Sequence, residues 1–348
     1  MKKVLATVLA LAMTMSLVAC GSKDSGSSAP AASTPAASTP AASTPADSTE
    51  GGKAGGTNLT FTTGGETGTY YGFGNVIANK VGDMTSTSVK AITSGGSAAN
   101  IQALEDGDAQ IGFVQSDVMV YAFNGERTFA ETGASTGFST VANLYMEQVQ
   151  VITVDPSIKT IADLAGKKVS VGAAGSGVFF NAVDVLGIYG LDVEKDIVPT
   201  YQSFGDSAEA LKDGQIDAAF IVAGAPTTAV TDLASGRDIS VVSLDDEHID
   251  ALIASSPYYS KAVIGKDVYG TAEDATTVAV GAVVIARDDV SEADVYNFLY
   301  GTYEDIAGLS HGKAAELDLE FAASVTSVGY HPGAVAYFAD KGIEVPAK

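Results

Sequence analysis

Four short stretches place glycines and small hydroxyl residues where a strand hands over to a helix. They are Gly64-Gly65-Glu66-Thr67-Gly68-Thr69-Tyr70-Tyr71, Ser94-Gly95-Gly96-Ser97, Gln115-Ser116-Asp117 and Gly172-Ala173-Ala174-Gly175-Ser176-Gly177. A helix start has free backbone N–H groups and the positive end of the helix dipole. Glycine lets a ligand approach the backbone, and serine or threonine adds a hydroxyl donor. The chemistry this suits is reversible capture of an anionic group such as a carboxylate, without a buried arginine. Only Arg127, Arg237 and Arg287 are present, each in a polar, surface-like context.

Catalysis has less to work with. His248, His311 and His331 do not stand at metal-ligand spacing from one another. Gly133-Ala134-Ser135-Thr136-Gly137 matches the Gly-x-Ser-x-Gly pattern, which requires a strand before the serine and a helix after it. Here a polar loop precedes Ser135 and the strand-like Phe138–Leu144 follows, so an exported serine hydrolase is the remote alternative. Asp245-Asp246-Glu247-His248 with Asp250 lacks the ligand spacing and turn glycine of a calcium loop and reads as a solvated helix start. No Gly-x-x-x-x-Gly-Lys or complete Gly-x-Gly-x-x-Gly stands at a strand–helix junction. The expectation is a binding protein rather than an enzyme, with no cofactor and no metal.

The elements that must position these junctions alternate. Strands are expected at Leu59–Thr63, Ser88–Ile92 and Ala109–Gln115, with helices at Tyr70–Val81, Ser97–Glu105 and Asp117–Phe123. After Asp155 the rhythm restarts, with strands at Lys168–Val171, Val198–Tyr201 and Asp217–Val222 and helices at Val178–Tyr189, Asp206–Asp213 and Thr227–Leu233. Such alternation implies parallel strands with covered faces. Leu104-Glu105-Asp106-Gly107 before Ala109–Phe113 is echoed by Leu211-Lys212-Asp213-Gly214 before Ile216–Phe220. Each reads as a helix end, a left-handed glycine and an immediate strand. Together they favour two similar α/β lobes with a cleft between them. The apolar run within Thr276–Ala286 leads back into the first lobe, which the helix from Ser291 helps to complete.

The N-terminus carries a different message. Met1-Lys2-Lys3, an apolar stretch to Val18 and Leu17-Val18-Ala19-Cys20-Gly21 read as an export signal of residues 1–20. Its cleavage site resembles the bacterial lipobox, in which the cysteine is lipidated. Residues 21–57 are mostly Gly, Ser, Ala, Thr and Pro, with Ala-Ala-Ser-Thr-Pro three times over, and read as a disordered tether. Cys20 is the one cysteine, so disulfides do not brace the chain. A net charge of −23 excludes a nucleic-acid partner, which needs clustered Lys and Arg.

The junctions resemble a known family. Gly64-Gly65-x-Thr67-Gly68-Thr69-Tyr70-Tyr71, Ser94-Gly95-Gly96-Ser97-x-x-Asn100 and Phe113-Val114-Gln115-Ser116-Asp117 are similar to motifs of the TAXI solute receptors. These are extracytoplasmic binding subunits of one branch of the tripartite ATP-independent periplasmic (TRAP) transporters. Leu164–Val169 leading to Gly175-Ser176-Gly177 fits the pattern too, as do Gly214–Ala218, Gly224-x-Pro226 and His331-Pro332-Gly333-Ala334. The resemblance implies a two-lobe periplasmic-binding-protein fold, type II-like, with lobe 1 at 58–150 plus 276–348 and lobe 2 at 151–275. It implies a monomeric receptor, lipid-anchored outside the cell membrane, that delivers a small carboxylate or glutamate-like amino acid to integral permease subunits. An ABC importer is the alternative partner.

Carried onto this sequence, the resemblance implies ligand contacts from Thr67, Gly68, Thr69, Tyr70, Ser97, Asn100, Gln115, Asp117, Gly175, Ser176 and Gly177. Pro226 and Thr227 would close the pocket, Tyr70 or Tyr71 would cover the ligand, and Asp117 or Glu66 would meet an ammonium group. Glu66 and the apolar Val178-Phe179-Phe180 depart from the family pattern.

Overall fold

The computed structural model describes residues 52–348. Residues 1–51, with the export signal, Cys20 and most of the expected tether, lie outside them. The first half runs β1 (Asn58–Thr62), α1 (Thr69–Met84), β2 (Ser88–Ile92), α2 (Ser97–Glu105), β3 (Ile111–Gln115) and α3 (Ser116–Asn124). A short α4 (Phe129–Thr132) then leads into β4 (Phe138–Thr153). The second half runs β5 (Lys168–Ser170), α5 (Val178–Ile188), β6 (Val198–Thr200), α6 (Phe204–Lys212) and β7 (Ala218–Ala223). It continues through α7 (Thr228–Gly236), β8 (Ser240–Val241), α8 (Asp246–Ser255) and β9 (Ser260–Ile264). The return strand β10 (Ala275–Arg287) is followed by α9 (Glu292–Tyr303), α10 (Leu319–Ala322) and α11 (Pro332–Asp340).

All strands join one sheet in the order β2-β1-β3-β10-β4-β7-β5-β6, with β8 against β4 and β9 against β10. Outer pairs are parallel, β1 with β2 and β3, β5 with β6 and β7. The central pairings of β10 with β3 and β4, and of β4 with β7, are antiparallel. Each half therefore repeats one βαβαβ unit, and the left-handed Gly107 and Gly214 end matching helices in both. The sequence pattern marks a strand only over Phe138–Leu144; the observed β4 continues to Thr153 as one long crossing strand.

Two long strands tie the halves together because their side chains change core along their length. On β4, Val141, Leu144 and Tyr145 enter the first core, while Val149 and Val151 enter the second. On β10, Val278 and Val280 belong to the second core and Ala282 to Ala286 to the first. The division falls between Tyr145 and Val149 on one strand and beside Gly281 on the other. Glu147 of β4 stands at that division, opposite Val280. The result is a two-lobe α/β fold whose lobes meet at the carboxyl ends of their parallel strands.

Candidate functional site

A cavity of about 70 Å³ lies on this seam. At 10–15 Å³ for each water-sized group, it takes on the order of five to seven such groups, the scale of a small metabolite. Its walls are mostly the segments that follow strand ends: Gly64, Gly65 and Gly68 to Tyr70 after β1, Ser94 to Ser97 after β2, Gln115 ending β3, Ala173 with Ser176 to Val178 after β5, and Ser203 and Phe204 after β6. Val222 and Ala223 of β7 and Glu147 of β4 complete it. Ligands of open α/β sheets bind at such carboxyl ends.

Four of the helices that begin here are left open at their N-termini. Among the described residues, α1, α2, α3 and α5 start from Gly68, Gly96, Gln115 and Gly177 with no side-chain cap. Of the helices that begin elsewhere, α8 is capped by Asp245, α9 by Ser291, α10 by Asp318 and α11 by His331, while α4 and α7 have no side-chain cap. At the cavity edge α6 is capped by Ser203. Glycine at these starts also lets the lobes meet closely. Gly96 has φ +108°, a region that disfavours side chains, and a Cβ on it would stand 3.3 Å from the Ser176 Cα.

Polar contacts stitch the lobes around the cavity. The Thr69 hydroxyl donates to the Gly224 carbonyl at 2.9 Å, and the Ala229 N–H donates to the Thr67 carbonyl at 3.2 Å. Across the opening the Ala99 N–H donates to the Gly175 carbonyl at 3.0 Å. Deeper in, Gln115 Nε2 donates to Asn181 Oδ1 at 2.6 Å, and Asn181 Nδ2 donates to Asp117 Oδ2 at 3.0 Å and reaches the Tyr259 hydroxyl at 2.7 Å. Arg127 pairs with Asp184 at 2.6 Å at the outer end of this chain of contacts.

Seven of the residues expected from sequence line the cavity: Gly68, Thr69, Tyr70, Ser97, Gln115, Ser176 and Gly177. Thr67, Asn100, Asp117, Gly175, Pro226 and Thr227 do not. Asn100 holds β1 and β3, receiving the Thr62 hydroxyl and donating to the carbonyls of Thr63 and Phe113. The Thr227 N–H is taken by the Tyr269 hydroxyl, and its own hydroxyl by Gln150 and the Gly224 carbonyl. Pro226 and Gly175 are exposed at the rim, and Glu66 is exposed as well. Asp117 is fully buried behind the wall with Oδ1 unpartnered; burial pushes its carboxyl up to about 7. Arg127, Arg237 and Arg287 all lie outside the cavity.

Glu147 is the residue the motifs do not reveal. It is the one charged side chain among the described lining residues. Its Oε2 accepts the Tyr70 hydroxyl at 2.6 Å, and Tyr70 is itself held flat against Phe113, ring centroids 4.4 Å apart. Burial pushes the Glu147 carboxyl well up from the usual range, and the nearby Asp117 adds to this; the Tyr70 hydrogen bond and the Lys313 charge oppose it. A sequence signal existed: a lone carboxylate inside the otherwise uncharged Leu144-Tyr145-Met146-Glu147-Gln148-Val149.

Residues 61–342 match the NMT1-like family. The chain belongs to that family. Its solved likenesses include the periplasmic aliphatic sulphonate binding protein SsuA from Escherichia coli, at 17% identity over 83% of this chain and 94% of that one, TM-score 0.43. The alkanesulfonate-binding SsuA from Xanthomonas axonopodis pv. citri, bound to MOPS, shares 14% over 82% and 91%, TM-score 0.42. The GluR0 ligand-binding core from Nostoc punctiforme, in complex with L-glutamate, shares 14% over 69% and 91%, TM-score 0.40. In this family member Ser135 is buried, follows α4 and precedes β4, so the strand-to-helix turn of a nucleophile elbow is absent at that position.

Proposed function

We propose that this protein is an extracytoplasmic receptor that closes on one small carboxylate or amino acid and hands it to a membrane permease. The observation that carries the reading is the small cavity between the lobes, lined from both sides by uncapped helix starts. Backbone N–H groups at Thr69 and Gly177, with the Ser97 hydroxyl, hold the carboxylate of the solute. Donors fixed before binding lose little entropy when they engage. Release follows from reopening the seam, whose contacts are individually modest hydrogen bonds.

The receptor works as a monomer, tethered through lipid on Cys20 and residues 21–57, which keep the folded part near its permease. A TRAP-type permease is the partner in this reading. The gene beside this one separates it from an ABC importer: an integral membrane protein without an ATPase gene supports TRAP, and an ATPase gene supports ABC.

The experiment is mass spectrometry of small molecules released on denaturing the purified full-length chain, with thermal unfolding in the presence of the released compound. At 100 times its dissociation constant, a ligand adds about 2.7 kcal/mol of stability. For a domain of this size the melting temperature rises by a few degrees. A chain that releases nothing, and whose unfolding no carboxylate or amino acid shifts, contradicts the reading.

A further inference from the structure

Among the described residues that line the cavity, one carboxyl is placed to receive a positive charge. Glu147 projects from the crossing strand β4 where the two cores divide, and it is 2% exposed. Tyr70 fixes one of its oxygens, Oε2, at 2.6 Å. The other, Oε1, makes no hydrogen bond among the described residues, and it is not one of the sealed, unpartnered polar atoms of the interior. A buried carboxylate costs several kcal/mol unless it is paired. Lys313 bears on the Glu147 carboxyl through its charge alone: it does not line the cavity, lies over the Tyr145 ring and pairs with Glu316 at 2.5 Å. The helix starts at Gly68, Gly96 and Gly177 border the same cavity and present the positive ends of their dipoles. The cavity therefore combines donors suited to an anion with a single carboxyl among its described lining residues.

We propose that Glu147 selects a zwitterionic solute: its Oε1 receives the ligand's ammonium group while the helix starts hold the ligand's carboxylate. This assignment rests on the receptor reading above and narrows its ligand class to amine-bearing acids. Tyr70 acts as the positioning residue, holding the Glu147 carboxyl in place through the stacked pair with Phe113. Buried in this way, the carboxyl needs an opposite charge within reach to stand ionised, and an ammonium supplies it.

The test is titration calorimetry of the full-length chain against the common L-amino acids, each beside its 2-oxo acid and its 2-hydroxy acid. The wild type is expected to bind one amino acid about 10- to 150-fold more tightly than its amine-free counterparts, the value of one hydrogen bond to a charged group. Glu147→Gln keeps the size and an acceptor but loses the charge. It should lose that preference, weakening the amino acid by a similar factor and leaving the 2-oxo acid unchanged or tighter. A wild type that binds a 2-oxo or 2-hydroxy acid as tightly as the amino acid overturns the assignment while sparing the receptor reading. So does a Glu147→Gln variant with wild-type affinity for the amino acid. If the variant fails to fold, the wild-type preference alone decides. If no amino acid, 2-oxo acid or 2-hydroxy acid binds the wild type, the receptor reading falls and the assignment falls with it.

Discussion

Gly177 and the side chain of Gln115 occupy adjoining space across the seam: a Cβ on Gly177 would overlap the Gln115 amide oxygen and stand 3.0 Å from the Ser97 hydroxyl. The Gly177 backbone has φ −73°, which any residue adopts, so the constraint comes from lobe contact rather than from conformation. Gly177→Ala is therefore expected to fold normally and to close badly, because Gln115 must give up its 2.6 Å bond to Asn181. Ligand affinity should fall at least tenfold while the melting temperature without ligand changes by no more than a few degrees. Unaltered affinity would show that the seam has slack.

Hydroxyl and guanidinium roles separate cleanly. The Ser97 hydroxyl borders the cavity and receives the Gln115 N–H at 3.1 Å. Ser97→Ala should weaken ligand binding by roughly 10- to 150-fold, the cost of one hydrogen bond to a charged group. Arg237 instead binds the Lys212 carbonyl and Arg287 pairs with Asp289, both outside the cavity. Arg237→Gln and Arg287→Gln should leave the affinity within about twofold, since surface pairs are worth little. A loss confined to an arginine variant would move the anion site elsewhere.

Asp117 makes stability depend on pH. Burial lifts its carboxyl from 3.8 to about 7, with the charge of Asp184 adding and the bonds from Val118 and Asn181 opposing. Between those values the native state keeps a proton that the unfolded chain has lost. The associated stability is present below about pH 4 and is lost as pH rises through 7. Over a shift of about three units this is on the order of 4 kcal/mol. Asp117→Asn preserves an acceptor for Asn181 and removes the titration. Denaturant unfolding of both proteins should show the variant gaining on the wild type by a few kcal/mol from pH 5 to pH 8. A difference that stays flat with pH would contradict the buried, protonated carboxyl.

Glu147 carries a second pH signature, seen in binding. Burial holds its carboxyl towards the neutral form, and an ammonium against it favours the charged form. Binding an amine therefore expels a proton wherever the carboxyl was protonated beforehand. Affinity for the amino acid should climb from pH 5 towards neutrality, and its binding enthalpy should vary with the ionisation heat of the buffer. Equal enthalpies in two buffers across that range would argue against proton release.

Membrane attachment tests the N-terminal reading, which lies outside the described residues. Cys20→Ser should move the protein from the membrane fraction to the soluble one and end incorporation of labelled fatty acid. Unchanged fractionation would mean that Cys20 is not the anchor.

Much of the fold was legible because its signals are local. The βα rhythm, the paired helix–glycine–strand loops ending at Gly107 and Gly214, and the glycine-rich junctions all sit within a few residues of the structure they specify. The crossing strand β4 was less legible, since a strand that serves two cores shows no single face pattern, and only Phe138–Leu144 stood out. Asn100 and Asp117 sit in motifs that do reach the cavity, yet their side chains turn inwards to brace β3 and the seam. Glu147 escaped notice for the opposite reason: it has no motif, and its place in the wall depends on Tyr70, 77 positions away in the chain.

The central claim is that one solute binds between the lobes, with its amine on Glu147 and its carboxylate on the helix starts. The most direct measurement is a crystal structure of the protein with the tightest-binding amino acid from the calorimetric panel. The account predicts one molecule in the seam cavity, its nitrogen within hydrogen-bond distance of Glu147 Oε1 and its carboxylate against Ser97 and the Gly177 N–H. A ligand elsewhere on the protein, or one bound in the cavity with its carboxylate against Glu147, would contradict it.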